Sequence, residues 1–447
     1  MTASARPNLL VVMADQFGAH VIDRDEGWVD TPHLDRLRRS GAEFTRAAVT
    51  FPLCVPSRAS LLTGRMPHEL DVGGNRHGSA VGEPGARPDS MGHLLAAAGY
   101  DCAYAGKWHA ISPSAPPDAG FEVLHPFGDR GLADAAAKWL RRRAEAHRPF
   151  LLFASFDDPH SVCEYARRQP MPYGDVDPGA VRDAPPLPAN FDPAPFEPEA
   201  VRFEKHAAQQ TYGTAEYTAE EWRLYRAAYR RLVERADAQL GRILDALDES
   251  GLADSTLVVF TSDHGDGDAA HRWNQKTALF EECVRVPLVV SGPGVIPGER
   301  NEPVSAGLDV LPTLLDAAGA ELPSHLRGRA LPLGAGAEAS DRIIGVETRF
   351  ERSDPPLTRG RAVYRGRFKY TVYSWGRHRE QLHDLVDDPL EQRNLAVESA
   401  FDPLREEMRA CLLTWCAQTD DREFLKLLPL PGAADSTLRD KIFAVPY

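Results

Sequence analysis

The chain has 447 residues, of which 43% are hydrophobic and 26% are charged, and its formal net charge is −14. At roughly 150 residues per domain, this length suggests three domains or one large α/β domain with an appendage. No apolar run approaches the roughly 20 residues that span a bilayer, and no dense cationic run of the kind that binds nucleic acid occurs. We therefore expect neither a membrane nor a nucleic acid as partner, while a local cationic pocket stays compatible with an acidic chain.

Cysteine and lysine are both scarce. The six cysteines form no C-x-x-C pair, so we expect reduced thiols rather than a disulfide framework or a zinc knuckle. Only seven of the 51 basic residues are Lys. Near the N-terminus, the apolar run from Leu9 to Met13 is too short for the core of a signal peptide. We expect a cytoplasmic protein.

Several apolar runs end in polar residues, which is typical of buried parallel strands. These runs are Leu9 to Met13, Tyr100 to Ala105, Phe150 to Phe156 and Thr256 to Phe260, with a further short run at Leu288 to Val290. Apolar residues at spacings of three and four, as from Tyr229 to Leu247, indicate helices between the strands. The alternation predicts an α/β fold with a large, mainly parallel sheet and helices on both faces. Ligands bind at the carboxyl ends of strands in such sheets.

Two weakly patterned stretches interrupt this alternation. Residues 161–217 are rich in Pro, Asp and Ala and predict a long surface insertion, which is either a lid or a passive excursion. A Gly- and Ala-rich stretch at 331–340 separates the main body from the last hundred residues. We expect a catalytic domain over 1–338 and a smaller C-terminal α+β subdomain over 339–447. The elements predicted there are β-like segments at Ile343 to Glu347 and Gly360 to Tyr373 and a helix from Pro403 to Gln418.

The most informative segment is CVPSRASLLTG, which runs from Cys54 to Gly64. Pro56 and Ser57 favour a helix start, so Cys54 is predicted at a helix N-terminus, where the backbone dipole supports an anion. Arg58, one turn further on, adds a positive charge. Taken alone, a single Cys is more often a small buried hydrophobe than a reactive group.

This segment resembles the signature of the sulfatase family, C-x-P-S-R-x-x-x-L-x-T-G, at every fixed position. Further segments are similar to family motifs in the same chain order: RPNLLVVMADQ at 6–16, AGKWH at 105–109, TSDHGD at 261–266 and LHDLVDDPLEQRNLA at 382–396. The resemblance implies an alkaline phosphatase-like fold and hydrolysis of a sulfate ester. It also implies that a formylglycine-generating enzyme oxidises Cys54 to formylglycine, whose hydrated aldehyde supplies the nucleophile.

Two strand ends carry residues suited to a hard divalent cation. Asp15, Gln16, Asp263 and His264 offer three oxygens and one nitrogen, and the resemblance places the modified Cys54 beside them. An isolated Asp after a strand is more often a turn former than a ligand, but two strand ends together with the signature favour a metal. We expect Ca²⁺, with Mg²⁺ or Mn²⁺ as alternatives.

Two of these residues depart from the family pattern. Gln16 stands where most members have Asp, and His264 stands where many have Asn. The two replacements occur together in relatives that hydrolyse phosphonate monoesters and phosphodiesters. A phosphodiesterase or phosphonate monoester hydrolase is therefore the alternative to a sulfatase, and a non-catalytic sulfatase-like binding protein is a further alternative.

Hydrolysis of a sulfate ester needs cations on the sulfate oxygens and a proton for the leaving alkoxide. The catalytic residues expected beside Cys54 are Arg58, Lys107, His109, His160 and Lys276. The resemblance places Lys107 and His109 near the sulfate and formylglycine, with His160 and Lys276 on the ester. His271 is a weaker candidate for lining the substrate pocket. The expected substrate is a sulfated carbohydrate or another small organic sulfate ester, with cleavage of an N-sulfate as a lesser alternative, and the sequence makes no prediction of the oligomeric state.

Overall fold

The computed structural model describes residues 6–23, 27–75, 89–110, 116–334, 342–352 and 357–429. Its strands are β1 (Asn8–Asp15), β2 (Gly41–Phe44), β3 (Ala47–Ala48), β4 (Asp101–Gly106), β5 (Glu122–His125), β6 (Phe150–Pro159), β7 (Thr256–Ser262), β8 (Leu288–Ser291), β9 (Gly298–Arg300), β10 (Val304–Ser305), β11 (Ile344–Phe350), β12 (Thr358–Arg365), β13 (Phe368–Tyr373) and β14 (Glu380–Asp384). Its α-helices are α1 (Pro32–Ser40), α2 (Cys54–Thr63), α3 (Met91–Ala97), α4 (Leu132–Arg143), α5 (Val162–Ala166), α6 (Glu199–Tyr212), α7 (Ala219–Glu249), α8 (Glu281–Val284), α9 (Ala306–Ala317), α10 (Asp402–Gln418) and α11 (Arg422–Leu425).

An eight-stranded sheet in the order β5-β4-β6-β1-β7-β8-β2-β9 forms the centre of the protein. The strands β5, β4, β6, β1 and β7 are parallel, so the carboxyl ends of β4, β6, β1 and β7 meet at one edge. The predicted large, mainly parallel sheet is confirmed. The strand β8 runs antiparallel to both β7 and β2. Its short apolar run did not indicate this direction because such a run has the same pattern in either direction.

Helices cover both faces of the sheet, as predicted. Along β1, Leu9 and Val11 pack into a core shared with α2 and α9, whereas Leu10 and Val12 pack into a core shared with α4 and α7. This alternation follows from the two-residue period of a strand, and both faces are apolar because both are covered. Among the described helices, none is both long and apolar enough to cross a bilayer.

A second, antiparallel sheet of β11 to β14 lies in the C-terminal part of the chain. The segment predicted as one β-like run is a hairpin of β12 and β13. On β12, Ala362 and Tyr364 face the core of the main body, whereas Val363 packs with Leu412 of α10. A small C-terminal α+β unit on a large α/β body is therefore present. The boundary between 1–338 and 339–447 stays a prediction, and residues 335–341 lie outside the described ranges.

The insertion over 161–217 contains the helices α5 and α6, and its weak pattern did not predict α6. The buried face of α6 includes two charged residues, Glu204 and Lys205. Lys205 forms an ion pair with Glu197, and Glu204 lies 3.4 Å from Arg352, beyond β11. Because charged residues occupy buried positions, the apolar period of the helix is broken. A lid function for 161–217 stays a prediction.

His68 joins the main body to the C-terminal sheet. Its Nδ1 lies 2.5 Å from Glu347 Oε1 on β11, and its Nε2 lies 2.9 Å from the Thr419 carbonyl oxygen after α10. Both ring nitrogens thus face acceptors, which suits the imidazolium form. Burial disfavours that form, but the carboxylates of Glu347 and Asp421 outweigh burial and raise the pKa of His68 to about 9.

We therefore expect the free energy of unfolding to fall as the pH rises from about 6.5 through 9. The contribution of His68 is complete below the ordinary pKa of about 6.5 and is lost as the folded imidazolium deprotonates near pH 9. The expected loss is on the order of 1–3 kcal/mol. Urea unfolding at pH 6 and at pH 9.5 measures it, with His68→Gln as the comparison. An equal decline in the variant would contradict this role of His68.

Candidate active site

Polar residues from four parallel strands meet at the carboxyl edge of the large sheet. β1 ends at Asp15, and β4 is followed directly by Lys107. β6 contributes Asp157 near its end, and β7 is followed by Asp263 and His264. All five side chains are buried. The predicted gathering of polar strand ends is found because parallel, in-register strands bring their carboxyl ends to one edge.

The helix α2 begins at Cys54, as the signature predicts, and its N-terminus points the residue into this edge. The Cys54 side chain is buried. The helix ends at Gly64, whose φ of +67° is the left-handed conformation that glycine favours. A Cβ at Gly64 would also lie only 2.4 Å from Leu326 Cδ2. The glycine of the signature therefore allows α2 to end and to pack closely.

Arg58, one turn into α2, bridges the carboxylates of Asp15 and Asp263, the two candidate metal ligands. Its Nε lies 2.6 Å from Asp263 Oδ2, and its Nη2 lies 2.9 Å from Asp15 Oδ2. Its Nη1 donates to the Lys107 carbonyl oxygen and to Ser155 Oγ, both at 2.8 Å. Arg58 is only 1% exposed. These contacts are those of a positioning residue, and direct contact of Arg58 with substrate stays a prediction.

Two lysines place their ammonium groups at the site. Lys107 Nζ lies 2.8 Å from Asp15 Oδ2 and 2.7 Å from Asp157 Oδ1. Lys276 Nζ lies 3.2 Å from Cys54 Sγ and 2.9 Å from Gln16 Oε1. The two scarce lysines singled out in the sequence are therefore brought together around Cys54.

The groups around Cys54 favour negative charge at this position in spite of the acidic chain. Burial and Asp15 disfavour the ionised thiol, but the ammonium groups of Lys276 and Lys107 are among the cations that outweigh them and lower the pKa of Cys54 well below its ordinary value. The pKa of Asp15 is likewise low, because Lys107 and other cations outweigh burial. A site that favours negative charge at position 54 is suited to an attacking oxyanion and to an anionic substrate.

The donor atoms at this edge fit a divalent cation. Asp15, Cys54, Asp263 and His264 each offer one atom, and these atoms lie within 4.8 Å of one another. Arg58 takes the Oδ2 atom of each carboxylate. The Oδ1 atoms of Asp15 and Asp263 lie 3.7 Å and 3.6 Å from His264 Nε2. One oxygen of each carboxylate is thus left on the side of the candidate metal position.

The ring of His264 is oriented for ligation. Its Nδ1 lies 3.0 Å from the carbonyl oxygen of Gly265, which makes Nδ1 the protonated nitrogen. Nε2 is then left with its lone pair toward Cys54 Sγ, 3.2 Å away. The orientation of His264 therefore suits a metal ligand.

Gln16 is held by a residue that the sequence reasoning missed. Its φ is +69°, and its Nε2 donates to Asp266 Oδ2 at 2.6 Å. Because Asp266 accepts from the amide nitrogen, the Gln16 oxygen faces Lys276. Asp266 is the last residue of the segment TSDHGD, and its place after a strand was the available signal. Ligation of a metal by Gln16 stays a prediction.

Asp157, Ser155 and Cys163 are further site residues that the sequence reasoning did not single out. Asp157 pairs with Lys107, and Ser155 accepts from Arg58. Cys163 Sγ lies 3.6 Å from Gln16 Oε1. Asp157 directly follows the apolar run from Phe150 to Phe156, so the sequence pattern places it at a polar strand end. Ser155 and Cys163 have no comparable sequence signal, because a buried Ser or Cys is common in any core.

The three candidate histidines differ in position. His160 is half-buried, and its Nε2 lies 3.9 Å from the Sγ atom of Cys163, which in turn lies 3.6 Å from Gln16 Oε1. His109 is exposed, with a φ of +35°, and none of its contacts to described residues joins it to Cys54. His271 is buried and stacks on Phe280 at a centroid distance of 3.9 Å. Substrate contacts of His109 and His271 stay predictions.

His271 belongs to a second buried cluster with Glu282 and Glu391. Glu391 lies 2.9 Å from Lys369 Nζ, and Glu282 accepts from Asn190 Nδ2 at 2.8 Å. Burial, Lys205 and other cations lower the pKa of His271 to about 3, so the ring is neutral. Because Lys369 pairs with Glu391 and the Asn190 amide bonds to Glu282, we read the cluster as a polar network that joins the main body to the C-terminal segment.

The mainly parallel sheet, Cys54 at the start of α2 and the carboxylate–histidine donor set are those of a hydrolase of the alkaline phosphatase-like superfamily. The sulfatase family model matches residues 7–122 and 116–320, and the model described as N-sulphoglucosamine sulphohydrolase, C-terminal, matches residues 269–418. The chain belongs to the sulfatase family and is a sulfuric ester hydrolase.

Known relatives extend along nearly the whole chain. A Delta 4,5-hexuronate-2-O-sulfatase of Bacteroides thetaiotaomicron is 29% identical over 97% of this chain and 94% of its own length. The solved structure of a 2-O GAG sulfatase is 26% identical, covers 97% of this chain and 96% of its own and has a TM-score of 0.81. A phosphonate monoester hydrolase of Agrobacterium radiobacter shares the fold, with a TM-score of 0.72, coverage of 93% and 96%, and 23% identity.

Proposed function

We propose that this sulfatase removes a sulfate ester from a sulfated carbohydrate, with a formylglycine derived from Cys54 as nucleophile and one bound divalent cation. The observation that carries the proposal is the convergence on Cys54. His264 Nε2 and Lys276 Nζ both lie 3.2 Å from Cys54 Sγ at the N-terminus of α2. The carbohydrate class is supported by the relatives named for hexuronate and GAG sulfates.

Each chemical requirement has a residue. Formylglycine at position 54 would supply a hydrated aldehyde. One of its hydroxyls would attack sulfur while the bond from sulfur to the ester oxygen breaks and the alcohol leaves with a proton. The second hydroxyl would then lose its proton, expel inorganic sulfate and regenerate the aldehyde. Lys107 and Lys276 bind the sulfate oxygens as point charges. His160 and Lys276 are the candidates for the proton that the leaving alkoxide needs, since both lie beside the Cys54 group. His109 is proposed to assist at the second hydroxyl.

The divalent cation would be held by Asp15, Asp263, His264 and the modified residue 54, with Gln16 as a further ligand. A cation held by these residues would polarise the sulfate and the attacking hydroxyl. Hard oxygen donors favour Ca²⁺, with Mg²⁺ and Mn²⁺ as alternatives. Elemental analysis of the purified protein identifies the metal.

A phosphodiesterase or phosphonate monoester hydrolase is the second candidate. It is favoured by Gln16 and His264 and by the shared fold of the phosphonate monoester hydrolase. Replacing a carboxylate ligand by the neutral Gln16 leaves the cation a stronger Lewis acid. A non-catalytic binding protein has less support, because the expected catalytic positions are occupied.

The decisive experiment compares kcat/KM on sulfated disaccharides, an aryl sulfate and the matched aryl phosphodiester, using protein that carries formylglycine. We expect kcat/KM for the sulfated sugar to exceed kcat/KM for the phosphodiester by at least about tenfold. This ratio corresponds to about 1.4 kcal/mol in transition-state binding. A preference for the phosphodiester would establish the second candidate instead. Absence of all hydrolysis would favour the binding protein.

The proposed maturation partner is a formylglycine-generating enzyme, which must reach Cys54 before the chain folds around it, because this residue is fully buried in the folded protein. The cytoplasmic location stays a prediction.

A further inference from the structure

A large aromatic side chain lies exposed beside the catalytic lysine. Phe127 is 62% exposed, and its ring centroid lies 5.8 Å from Lys107 Nζ. Single exposed apolar residues are common on protein surfaces. Phe127 differs from such residues because the cation that its ring adjoins also contacts Asp15 at the centre of the site. The ring therefore lies beside a lysine that contacts the residues around Cys54.

The loop that carries Phe127 is fixed to the catalytic sheet. Asp129, two residues further on, accepts the backbone N–H of Asp157 at 2.7 Å and that of Asp158 at 2.9 Å. Gly128, which lies between Phe127 and Asp129, has a φ of +119°, a value that only glycine adopts without strain. An aromatic ring held in this way is presented to solvent at little further entropic cost when a ligand binds.

The groups around the ring suit a ligand with one apolar face and a hydroxyl-bearing edge. Lys107 lies next to the ring and pairs with Asp157, whose Oδ2 accepts from the Tyr173 hydroxyl at 2.9 Å. A pyranose has this chemistry, since its C–H groups form an apolar face and its hydroxyls surround it. Binding sites for small ligands combine such aromatic surfaces with a few polar groups.

We infer that Phe127 is a specificity-determining residue that stacks on the pyranose ring of the substrate while the sulfate lies between Lys107 and Lys276. The inference rests on the proposed function and deepens it. It assigns sugar recognition to the β5–α4 loop, apart from the residues that bind the sulfate. Stacking adds binding energy in the ground state and the transition state alike, so it affects KM and leaves kcat nearly unchanged.

The test replaces Phe127 by Ala and by Tyr. With a sulfated saccharide, Phe127→Ala is expected to raise KM about tenfold with kcat within about twofold, because aromatic stacking contributes at this level. Phe127→Tyr keeps the ring and is expected to restore KM. The inhibition constant of inorganic sulfate, which has no sugar ring, is expected to stay unchanged in both variants.

Phe196→Ala is the matched control, since Phe196 is 52% exposed and its ring contacts His378 rather than a site residue. An unchanged KM in Phe127→Ala would overturn the inference, as would an equal rise in the inhibition constant of sulfate. Calorimetric binding of the saccharide to Cys54→Ala, with and without Phe127→Ala, gives the same comparison without turnover. If the parent hydrolyses no sulfate ester, the proposed function fails, and calorimetry alone then decides the role of Phe127.

Discussion

Replacing Cys54 by Ala is expected to reduce kcat on a sulfate ester by at least about 10⁴-fold, because the variant has no atom that can attack sulfur. The fold should persist, since the buried thiol is a small hydrophobe and Ala is the smallest change at a helix start. Sulfate release and thermal unfolding, measured on the same preparations, separate loss of chemistry from loss of structure.

Cys102→Ala is the matched control for this prediction. Cys102 is also a buried free thiol, but it lies in β4 near its amino end, away from the site, and burial raises the pKa of its thiol to about 12. This variant is expected to retain activity. Mass spectrometry of the peptide around Cys54 shows directly whether residue 54 is formylglycine or an unmodified cysteine. Full activity with Cys54 present only as an unmodified thiol would refute the formylglycine mechanism.

Replacing Arg58 by Ala is expected to lower the free energy of unfolding by about 3–5 kcal/mol, because it removes the guanidinium from buried Asp263 and leaves buried Asp15 with Lys107 alone. Arg58 contacts Asp263 Oδ2 at 2.6 Å and Asp15 Oδ2 at 2.9 Å, and all three side chains are at most 1% exposed. Activity should also fall, since Asp263 and Asp15 would each lose the guanidinium contact that orients its Oδ2 atom. Urea unfolding in the presence of a chelator measures the first effect without help from a bound cation.

Two further variants make this prediction specific. Arg58→Lys keeps the charge but cannot reach all four acceptors that the guanidinium serves, so its stability should lie between those of the parent and Arg58→Ala. Arg36 pairs with Asp245 and Asp248 at the surface, where all three side chains are at least 35% exposed. Arg36→Ala should therefore cost less than about 1 kcal/mol. A similar loss of unfolding free energy in Arg36→Ala and Arg58→Ala would refute the prediction that the buried contacts of Arg58 stabilise the fold.

The sequence by itself determined the type of sheet and the centre of the site. Apolar runs that end in Asp15, Lys107 and Asp263 predict buried parallel strands, and parallel strands bring such ends to one edge whatever the length of chain between them. The signature also placed Cys54 at the start of a helix, because Pro56 and a following apolar turn are local signals. These features depend on residue order within a few positions, which a sequence displays directly.

Only the tertiary structure decided which groups pair. Three features depend on partners that are distant in the chain. They are the antiparallel direction of β8, the buried charged face of α6 and the hydrogen bond from Gln16 to Asp266. The tertiary structure also separated His271, which stacks in another buried cluster, from the residues around Cys54. Periodicity reports which face of an element is buried but not what it is buried against. The exposure of Phe127 beside Lys107 likewise depends on a loop fixed by contacts that no local pattern encodes.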